Sequence, residues 1–264
     1  MTDSSLIHPS ALVSAEAELA DDVEVGAFAV IEGAVKIAAG CQIATHAQVI
    51  GDVTIGENSV VGRAAIIGET PQDLSFDSAT PSGVRIGRDN NLREHVTIHR
   101  STVDGGYTVV GDSNFLMAGV HLAHDVCLGN DNVIANNCLV GGFVQVGNQV
   151  FLGGGTGVHQ FIRIGDYSLT QGNSSITKDV PPYLIAFQRS QFGGLNVIGL
   201  RRAGYSPDVR REIRSAVEQL FNSDQPLRIA VENVQREQWG PEAQILIDFV
   251  ATASRKGVMT TKQR

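Results

Sequence analysis

Cysteine and long apolar runs are both scarce in this chain of 264 residues. The three cysteines, Cys41, Cys127 and Cys138, form no C-x-x-C pair and leave one unpaired, so neither a disulfide framework nor a thiolate zinc site is indicated. We expect all three to be reduced, packed thiols. No run of eighteen apolar residues occurs, so we expect no transmembrane segment. Residues 1–5 show no basic or apolar signal region, and we therefore expect a cytoplasmic protein.

Positive charge is also in short supply, except near the end of the chain. The formal net charge is -8, with nine Lys and Arg against twenty Asp and Glu in residues 1–198, and eleven against eight in residues 199–264. The acidic body argues against nucleic-acid binding. The mildly basic tail is either a solvated helical face or a docking patch for an acidic partner.

What the sequence does contain is a repeat of six residues. Aliphatic residues occupy every sixth position from Ile7 to Ile67, and a small or β-branched residue follows most of them four places later. A period of six fits neither a helix nor one long strand, but it fits short strands joined by turns around a triangular coil. The sequence therefore predicts an all-β parallel β-helix of eighteen-residue coils, with the aliphatic side chain pointing inward at every step.

Two interruptions predict extruded loops near residues 69–84 and 103–109. The repeat otherwise continues to Ile176 and stops at Asp179-Val180-Pro181-Pro182, where we expect the two prolines to close the array because neither can donate a ladder N–H. The predicted β-helix domain covers residues 1–183.

Residues 184–264 are predicted to form a connecting segment and a small α-helical C-terminal domain. Ser206-Pro207 is a helix-start signal that precedes apolar residues at helical spacing. A second helix is predicted over 227–234, and a third after Gly240-Pro241. We expect a frayed end over residues 259–264.

The stretch His121-Leu122-Ala123-His124-Asp125 is the main candidate for chemistry. Both imidazoles fall on the outside of one corner of the coil, where we expect them to reach solvent or a neighbouring subunit. The carboxylate of Asp125 could orient an imidazole and raise its basicity. A surface histidine at a turn can also be without function.

Two further histidines could contribute to such a site. His159 lies two coils beyond Ala123 and should stand near His124, whereas His99 lies earlier on the outer side of the coil. The glycine-rich run over 153–157 lacks the lysine and hydroxyl of a phosphate-binding loop, and we interpret it as a coil corner.

Several motifs occur in an order and at separations that resemble those of the UDP-N-acetylglucosamine O-acyltransferases of lipid A synthesis. These motifs are Gln72-Asp73-Leu74, Ile98-His99-Arg100, His121-x-x-His124-Asp125, Val158-His159-Gln160-Phe161, Asp179-Val180-Pro181-Pro182-Tyr183 and the segment from Gly194-Leu195-Asn196 to Arg202. The resemblance covers essentially the whole chain. It implies a left-handed coil, which the spacing alone does not give.

The resemblance also implies a reaction. A 3-hydroxyacyl chain would pass from acyl carrier protein to the 3-hydroxyl of UDP-N-acetylglucosamine, without a cofactor or metal, in a homotrimer with sites between subunits. His124 matches the general base, Asp125 its supporting carboxylate, and Gly142 the backbone N–H donor to the oxyanion.

Other positions match substrate contacts in that family. They are Asp73, His99, His121, His159, Gln160, Asn196 and Arg202. Gly172 matches the position that limits acyl-chain length, and a glycine there should admit a longer chain. Four of these positions also have a plain structural interpretation: Asp73 as a turn residue, Asn196 as a cap, Arg202 as a solvated partner of Arg201, and Gly172 as an ordinary corner glycine.

The match is incomplete around the pocket. Ser75 stands where a lysine is usual, Phe143 where a histidine is, Ile198 where an acidic residue is, and Ala203 where a second arginine is. Losing such charged hydrogen bonds should weaken polar contacts to the UDP-sugar by about 1.5 to 3 kcal/mol each. The alternatives are therefore N-acylation of a UDP-aminosugar, a zinc site like that of the gamma-class carbonic anhydrases with His121, His124 and His159 as ligands, and a non-catalytic paralogue.

Overall fold

A computed structural model describes residues 6–222 and 225–260, and within these ranges the strands form three sheets of a left-handed parallel β-helix. The first sheet contains Leu12–Val13, Val30–Glu32, Gln48–Ile50, Ile66–Glu69, Thr97–His99, His121–Leu122, Leu139–Val140, Gly157–Val158 and Ser175–Ile176. The second contains Glu18–Leu19, Lys36–Ile37, Asp52–Ile55, Gly83–Ile86, Tyr107–Val110, Cys127–Leu128, Gln145–Val146 and Arg163–Ile164. The third contains Glu24–Val25, Gln42–Ile43, Val60–Val61, Asn91–Leu92, Phe115–Leu116, Val133–Ile134, Phe151–Leu152, Leu169–Thr170, Leu184–Phe187 and Gln191–Leu195.

The aliphatic repeat fills the interior of the coil, as predicted. Ile31, Ile67 and Leu122 are at most 1% exposed, and each strand lies beside the strand one coil away, as Leu12 lies beside Val30. The aliphatic side chains are less completely buried at the first coil, where Ile7 is 39% exposed because described residues cover it on one side only. The core is thus a stack of aliphatic layers whose order follows directly from the period of six.

The two predicted loops interrupt the stack at the same corner, between the first and second sheets, in successive coils. The first occupies residues 70–82, so that Ile66 pairs with Thr97 across an enlarged coil. The second occupies residues 100–106, because Tyr107–Val110 is already a strand, and its predicted range of 103–109 was therefore too late in the chain.

The prolines do not end the stack, contrary to expectation. Val180 forms a bridge to Ile164, the prolines form the next corner, and Leu184–Phe187 then adds a parallel strand to the third sheet. Gln191–Leu195 turns back antiparallel to it. A corner needs no ladder N–H from its proline residues, which is why they can sit between two paired segments.

Four helices follow among the described residues: α1 (Val197–Arg202), α2 (Pro207–Phe221), α3 (Leu227–Val234) and α4 (Pro241–Ala251). The last three were predicted, and Ser206 caps α2 by accepting a hydrogen bond from the Val209 N–H at 3.2 Å. Helix α1 lies in the segment predicted as a connection. No described helix has the length and apolar character needed to cross a membrane.

The segment after α4 is anchored rather than frayed as far as residue 260, and residues 261–264 lie outside the described residues. Met259 is fully buried, and its N–H donates to the backbone oxygen of Asp179 at 2.9 Å. The Asp179 carboxylate accepts a hydrogen bond from Arg163 at 2.8 Å, and Arg163 also lies over the ring of Phe249 in α4. This cluster holds the C-terminal segment against the last coils.

The position of a residue within its hexad determines whether its side chain points into the coil or out of it. Cys41 and Cys138 occupy inward positions and are buried, as predicted, but Cys127 is exposed. It directly precedes the inward residue Leu128 in its strand, and neighbouring strand residues point to opposite faces. Many corners place a residue other than glycine at positive φ, among them Asp125 (61°) and Phe143 (59°).

Candidate active site

His124 and Asp125 form a hydrogen-bonded pair at the corner between the first and second sheets, which we call the His124 corner. His124 Nδ1 lies 2.8 Å from Asp125 Oδ2, and the two side chains are 14% and 9% exposed. A carboxylate at Nδ1 fixes the orientation of the ring and leaves Nε2 as the nitrogen that can accept a proton. The sequence left open which imidazole Asp125 orients, and the geometry identifies that of His124.

The second loop holds the Asp125 carboxylate in place. Ser101 Oγ donates to Oδ1, while the Thr102 hydroxyl and N–H donate to Oδ2 at 2.6 and 3.1 Å. Burial alone would raise the pKa of Asp125, but these hydrogen bonds, with that of His124, hold the pKa below its usual value. Asp125 is therefore an anion with a fixed orientation.

Gly142 lies one coil beyond His124 at the same corner. A Cβ atom there would come within 2.5 Å of His124 Cε1, so the imidazole packs directly on the glycine backbone. Among residues 6–222 and 225–260, no group accepts a hydrogen bond from the Gly142 N–H. This donor is available beside the imidazole.

His121 and His99 form a second, more buried pair of rings. His121 Nδ1 lies 2.7 Å from Thr97 Oγ1, and its ring meets that of His99 edge-on at 4.8 Å. Burial and the neighbouring His99 and His124 lower the pKa of His121 to about 4. His99 is 5% exposed, contrary to its predicted outward position, because the His121 ring and the strands on both sides cover it. Its Nδ1 has no partner within the described part of the chain.

Asp73 lies in the first loop, which leaves the coil at the same corner as His124. Asp73 Oδ1 accepts hydrogen bonds from the Ser75 N–H and hydroxyl at 2.9 and 2.7 Å. These bonds lower the pKa of Asp73, and the charge of His124 lowers it further. Asp73 is thus a turn residue, as one interpretation predicted, and Ser75 completes that turn where a lysine is usual in the resembling family.

Arg100 attaches this loop to the coil. Its guanidinium donates to the backbone oxygens of Thr80 at 2.7 Å and Ser78 at 2.8 Å, and lies 4.9 Å from the centre of the Phe76 ring.

The structure brings some of the other predicted residues to the His124 corner and separates the rest. Gln160 lies one coil beyond Gly142 at this corner and is exposed, and His159 Nδ1 lies 3.1 Å from the Gln160 backbone oxygen. Gly172 is exposed at the corner between the third and first sheets.

Asn196 and Arg202 lie at the two ends of α1. Asn196 caps this helix through the Gly199 N–H at 3.1 Å, and its amide nitrogen donates to the Tyr167 backbone oxygen at 2.9 Å. The cap interpretation of Asn196 therefore describes its contacts in this chain. Arg202 is exposed, as are Ile198 and Ala203, two of the positions that depart from the resembling family.

The geometry does not support the alternative zinc site with His121, His124 and His159 as ligands. Each Nδ1 faces a different partner: Thr97 for His121, Asp125 for His124, and the Gln160 backbone for His159. Within the described residues, no three His, Cys, Asp or Glu side chains are grouped so that they could hold a metal ion.

Sequence reasoning missed the residues that support the site. Thr97, Ser101 and Thr102 were not predicted, and Arg100 was quoted only as part of a motif. Their places follow from the register, because Ile98 lies beside Leu122 and the second loop therefore begins next to Asp125. Counting coils across that loop would have placed these hydroxyl groups beside the histidine pair.

The fold and this corner define a hexapeptide-repeat transferase. Residues 107–142 match the family described as bacterial transferase hexapeptide (six repeats). Residues 179–259 match the second domain of UDP-N-acetylglucosamine O-acyltransferase.

Full-length relatives define the family. The chain is 42% identical over 258 residues to the acyl-[acyl-carrier-protein]–UDP-N-acetylglucosamine O-acyltransferase of Syntrophobacter fumaroxidans, covering 96% of this chain and 99% of the relative. The corresponding enzyme of Thermodesulfovibrio yellowstonii is 40% identical over 255 residues, with 96% and 98% covered. The solved UDP-N-acetylglucosamine O-acyltransferase of Moraxella catarrhalis is 37% identical and matches with a TM-score of 0.91, covering 97% of this chain and 100% of that one.

The chain belongs to the family of acyl-[acyl-carrier-protein]–UDP-N-acetylglucosamine O-acyltransferases. It is an acyltransferase, and the reaction of this family moves a 3-hydroxyacyl chain from acyl carrier protein to UDP-N-acetylglucosamine in the first step of lipid A biosynthesis.

Proposed function

We propose that His124 is the general base of this reaction and that the acceptor is the 3-hydroxyl of UDP-N-acetylglucosamine. The observation that carries the proposal is the 2.8 Å hydrogen bond between His124 Nδ1 and the anchored Asp125 carboxylate. It leaves Nε2 free to take the hydroxyl proton while the oxygen attacks the thioester carbonyl. As the C–S bond breaks, the imidazolium returns this proton to the departing sulfur, so that an ester and a free thiol result.

Gly142 supplies the second element of the mechanism. Its N–H has no acceptor among the described residues and lies on the backbone against which His124 packs. An N–H in this position can donate to the oxyanion of the tetrahedral intermediate, and such a donor stabilises the transition state by a few kcal/mol, about 3 to 4 in measured cases.

The substrates are held by more than one subunit. The three sheets form a triangular prism, and Gly172 and Asn196 lie at other corners of it than His124. Because the interior of the coil is filled, one chain does not surround a ligand with these residues. A homotrimer would place the His124 corner of one subunit against another corner of the next. Asp73, His99, His121, His159, Gln160, Asn196 and Arg202 are the proposed substrate-contacting or pocket positions of that assembly.

An acyl-transfer assay tests the mechanism. Purified protein is given 3-hydroxyacyl-carrier protein of several chain lengths with UDP-N-acetylglucosamine, and compared with His124→Ala and Asp125→Asn. We expect the first variant to lose at least 10²-fold in kcat, which is the lower range for a general base. Unchanged turnover in His124→Ala would contradict the proposed base.

The acceptor is tested in the same assay. UDP-N-acetylglucosamine and the analogue with an amine at position 3 are compared at equal concentration. Turnover of the amine analogue alone would show that this chain is an N-acyltransferase, and no turnover of either acceptor would favour the non-catalytic paralogue.

A further inference from the structure

A row of aromatic rings leads from His124 to the C-terminal segment. The Phe143 ring meets the imidazole of His124 edge-on, with centroids 5.4 Å apart and an interplanar angle of 84°. Phe143 stacks on Phe161 at 5.0 Å and 13°, and the Arg255 guanidinium lies 3.7 Å from the centre of the Phe161 ring. We call His124, Phe143, Phe161 and Arg255 the ring row.

The register of the coils fixes the spacing within this row. Asp125, Phe143 and Phe161 occupy the same place in three successive coils, each at positive φ. The Phe143 N–H donates to the His124 backbone oxygen at 3.2 Å, and the Phe161 N–H to the Gly142 oxygen at 3.0 Å. Each ring is therefore carried by backbone that is hydrogen-bonded to the coil before it.

The far end of the row is also fixed. Arg255 lies in the segment that pairs with Asp179, whose N–H donates to the Gly257 oxygen at 2.8 Å and whose oxygen accepts from the Met259 N–H at 2.9 Å. A cation over an aromatic face is attracted by the negative face of the ring. Arg255 therefore holds the Phe161 ring from the C-terminal side.

We propose that Phe143 is a positioning residue for His124, supported through Phe161 by Arg255. Asp125 fixes one nitrogen of the imidazole, and the Gly142 backbone packs against its ring atoms. The edge-on contact with Phe143 adds a further contact that restricts how far the ring can tilt. A base held in its reactive orientation raises kcat without changing how tightly the acceptor is bound.

This inference rests on the proposed role of His124 and concerns a position where the related family usually has histidine. Phenylalanine provides an aromatic ring of similar width that has no titratable proton and carries no charge. In this chain, the residue next to the base therefore acts by shape and packing.

Three variants of the full-length protein test the inference by steady-state kinetics with UDP-N-acetylglucosamine and 3-hydroxyacyl-carrier protein. Phe143→Leu keeps an apolar side chain but removes the ring, and we expect kcat to fall by about tenfold with KM for the acceptor within about twofold. Phe143→Tyr keeps the ring and should retain kcat within about twofold. Arg255→Ala should lower kcat by about two- to threefold and add nothing to the loss in Phe143→Leu, because both act through one row.

Phe28→Leu is the matched control. Phe28 also lies at a corner with positive φ and stacks on a ring of the next coil, His46, at 5.2 Å, but it is at the other end of the prism. We expect this variant to keep the parental kcat.

The outcomes separate the two proposals. If His124→Ala is inactive and Phe143→Leu has the parental kcat, or if Leu and Tyr reduce kcat equally, the positioning role is wrong while the base stands. A rise in KM at constant kcat would make Phe143 a substrate contact and also overturn the positioning role. If His124→Ala remains active, the proposed base fails whatever Phe143 does.

Discussion

Two histidines three residues apart have opposite surroundings. His124 faces an anion, Asp125, whereas His121 faces the Thr97 hydroxyl and the ring of His99. A protonated His121 would be partly buried beside two other imidazoles, which is why its pKa is lowered to about 4. His121 can thus present a neutral nitrogen to a substrate at any pH above 5.

This difference predicts a pH dependence of stability. Unfolding restores the pKa of His121 from about 4 to its ordinary value of 6.5, so the unfolded chain binds a proton over this interval that the folded chain does not. Above pH 6.5 both states leave His121 neutral, and this group does not change the free energy of unfolding. As the pH falls from 6.5 toward 4, the free energy of unfolding decreases. We expect His121→Gln to remove about 2 kcal/mol of the decrease in the free energy of unfolding between pH 7 and pH 5.

Urea unfolding at both pH values, followed by circular dichroism, measures this decrease. His8→Gln replaces an exposed histidine and should keep the parental pH dependence. An equal decrease in the parent and in His121→Gln would show that His121 is not the group that binds the extra proton.

At the scale of elements, the two extruded loops perform different tasks. The second loop contributes Ser101 and Thr102, which fix Asp125, and the first carries Asp73 and leaves the coil at the same corner as His124. Arg100 connects them, since it directly follows the strand Thr97–His99 and holds the backbone of the first loop. The loops are therefore parts of one support around the His124 corner.

Arg100→Ala should release residues 70–82 without disturbing the coil. Because Asp73 is a proposed acceptor contact and the base is untouched, we expect KM for UDP-N-acetylglucosamine to rise by roughly tenfold, the equivalent of about 1.4 kcal/mol, while kcat changes less. Limited proteolysis should then cut the first loop faster. Arg88→Ala, which removes an exposed arginine from another corner, is the control. A larger effect on kcat than on KM would contradict this role.

Secondary-structure elements were predictable where a short-range sequence pattern determines them. The period of six places the aliphatic core and the approximate positions of both loops, because inward packing depends only on position within the hexad. The helices α2, α3 and α4 were predicted from helix-start signals and apolar residues at helical spacing. The six-residue repeat does not predict Leu184–Phe187, Gln191–Leu195 or α1, where pairing partners are set by contacts across the end of the stack.

Part of the site was predictable for the same reason. His124, Gly142 and Gln160 are eighteen residues apart and therefore share a corner. The hydroxyl partners of Asp125 follow only when the length of the second loop is counted into the register, and the burial of His99 depends on the neighbouring strands and the His121 ring. Neither follows from the identity of the residue alone.

For the whole molecule, the distribution of residues over three corners is the main constraint. Gly172 lies at a different corner from His124, so its proposed effect on acyl-chain length requires a neighbouring subunit. A Cβ at Gly172 would meet only the Gly154 backbone, at 3.1 Å, and its φ is not positive. A side chain at this position therefore requires the Gly154 backbone to shift by a few tenths of an ångström, and beyond Cβ it extends outward.

Gly172→Met should shift selectivity toward shorter acyl chains by several methylene groups. The added side chain would occupy the space that the end of a long chain requires, at a cost of about 0.8 kcal/mol for each CH₂ that is displaced. The measurement is kcat/KM over a series of 3-hydroxyacyl-carrier proteins, together with the mass of the assembly in solution. Gly172→Ala, with its smaller side chain, should give a smaller shift.

A monomeric protein with full activity would contradict the shared site. A Gly172→Met variant with unchanged chain-length preference would show that the glycine serves only the corner.

The corners with positive φ have one more consequence. A residue other than glycine pays about 1 to 2 kcal/mol for this backbone conformation, and the chain accepts the cost at Asp125, Phe143 and Phe161. Their side chains leave the coil and take no part in its core, so exchanging one alters the chemistry of the edge while the aliphatic layers stay intact. The prism thus separates the positions that can be varied from those that must be kept, and new specificities can arise along its edges without a new fold.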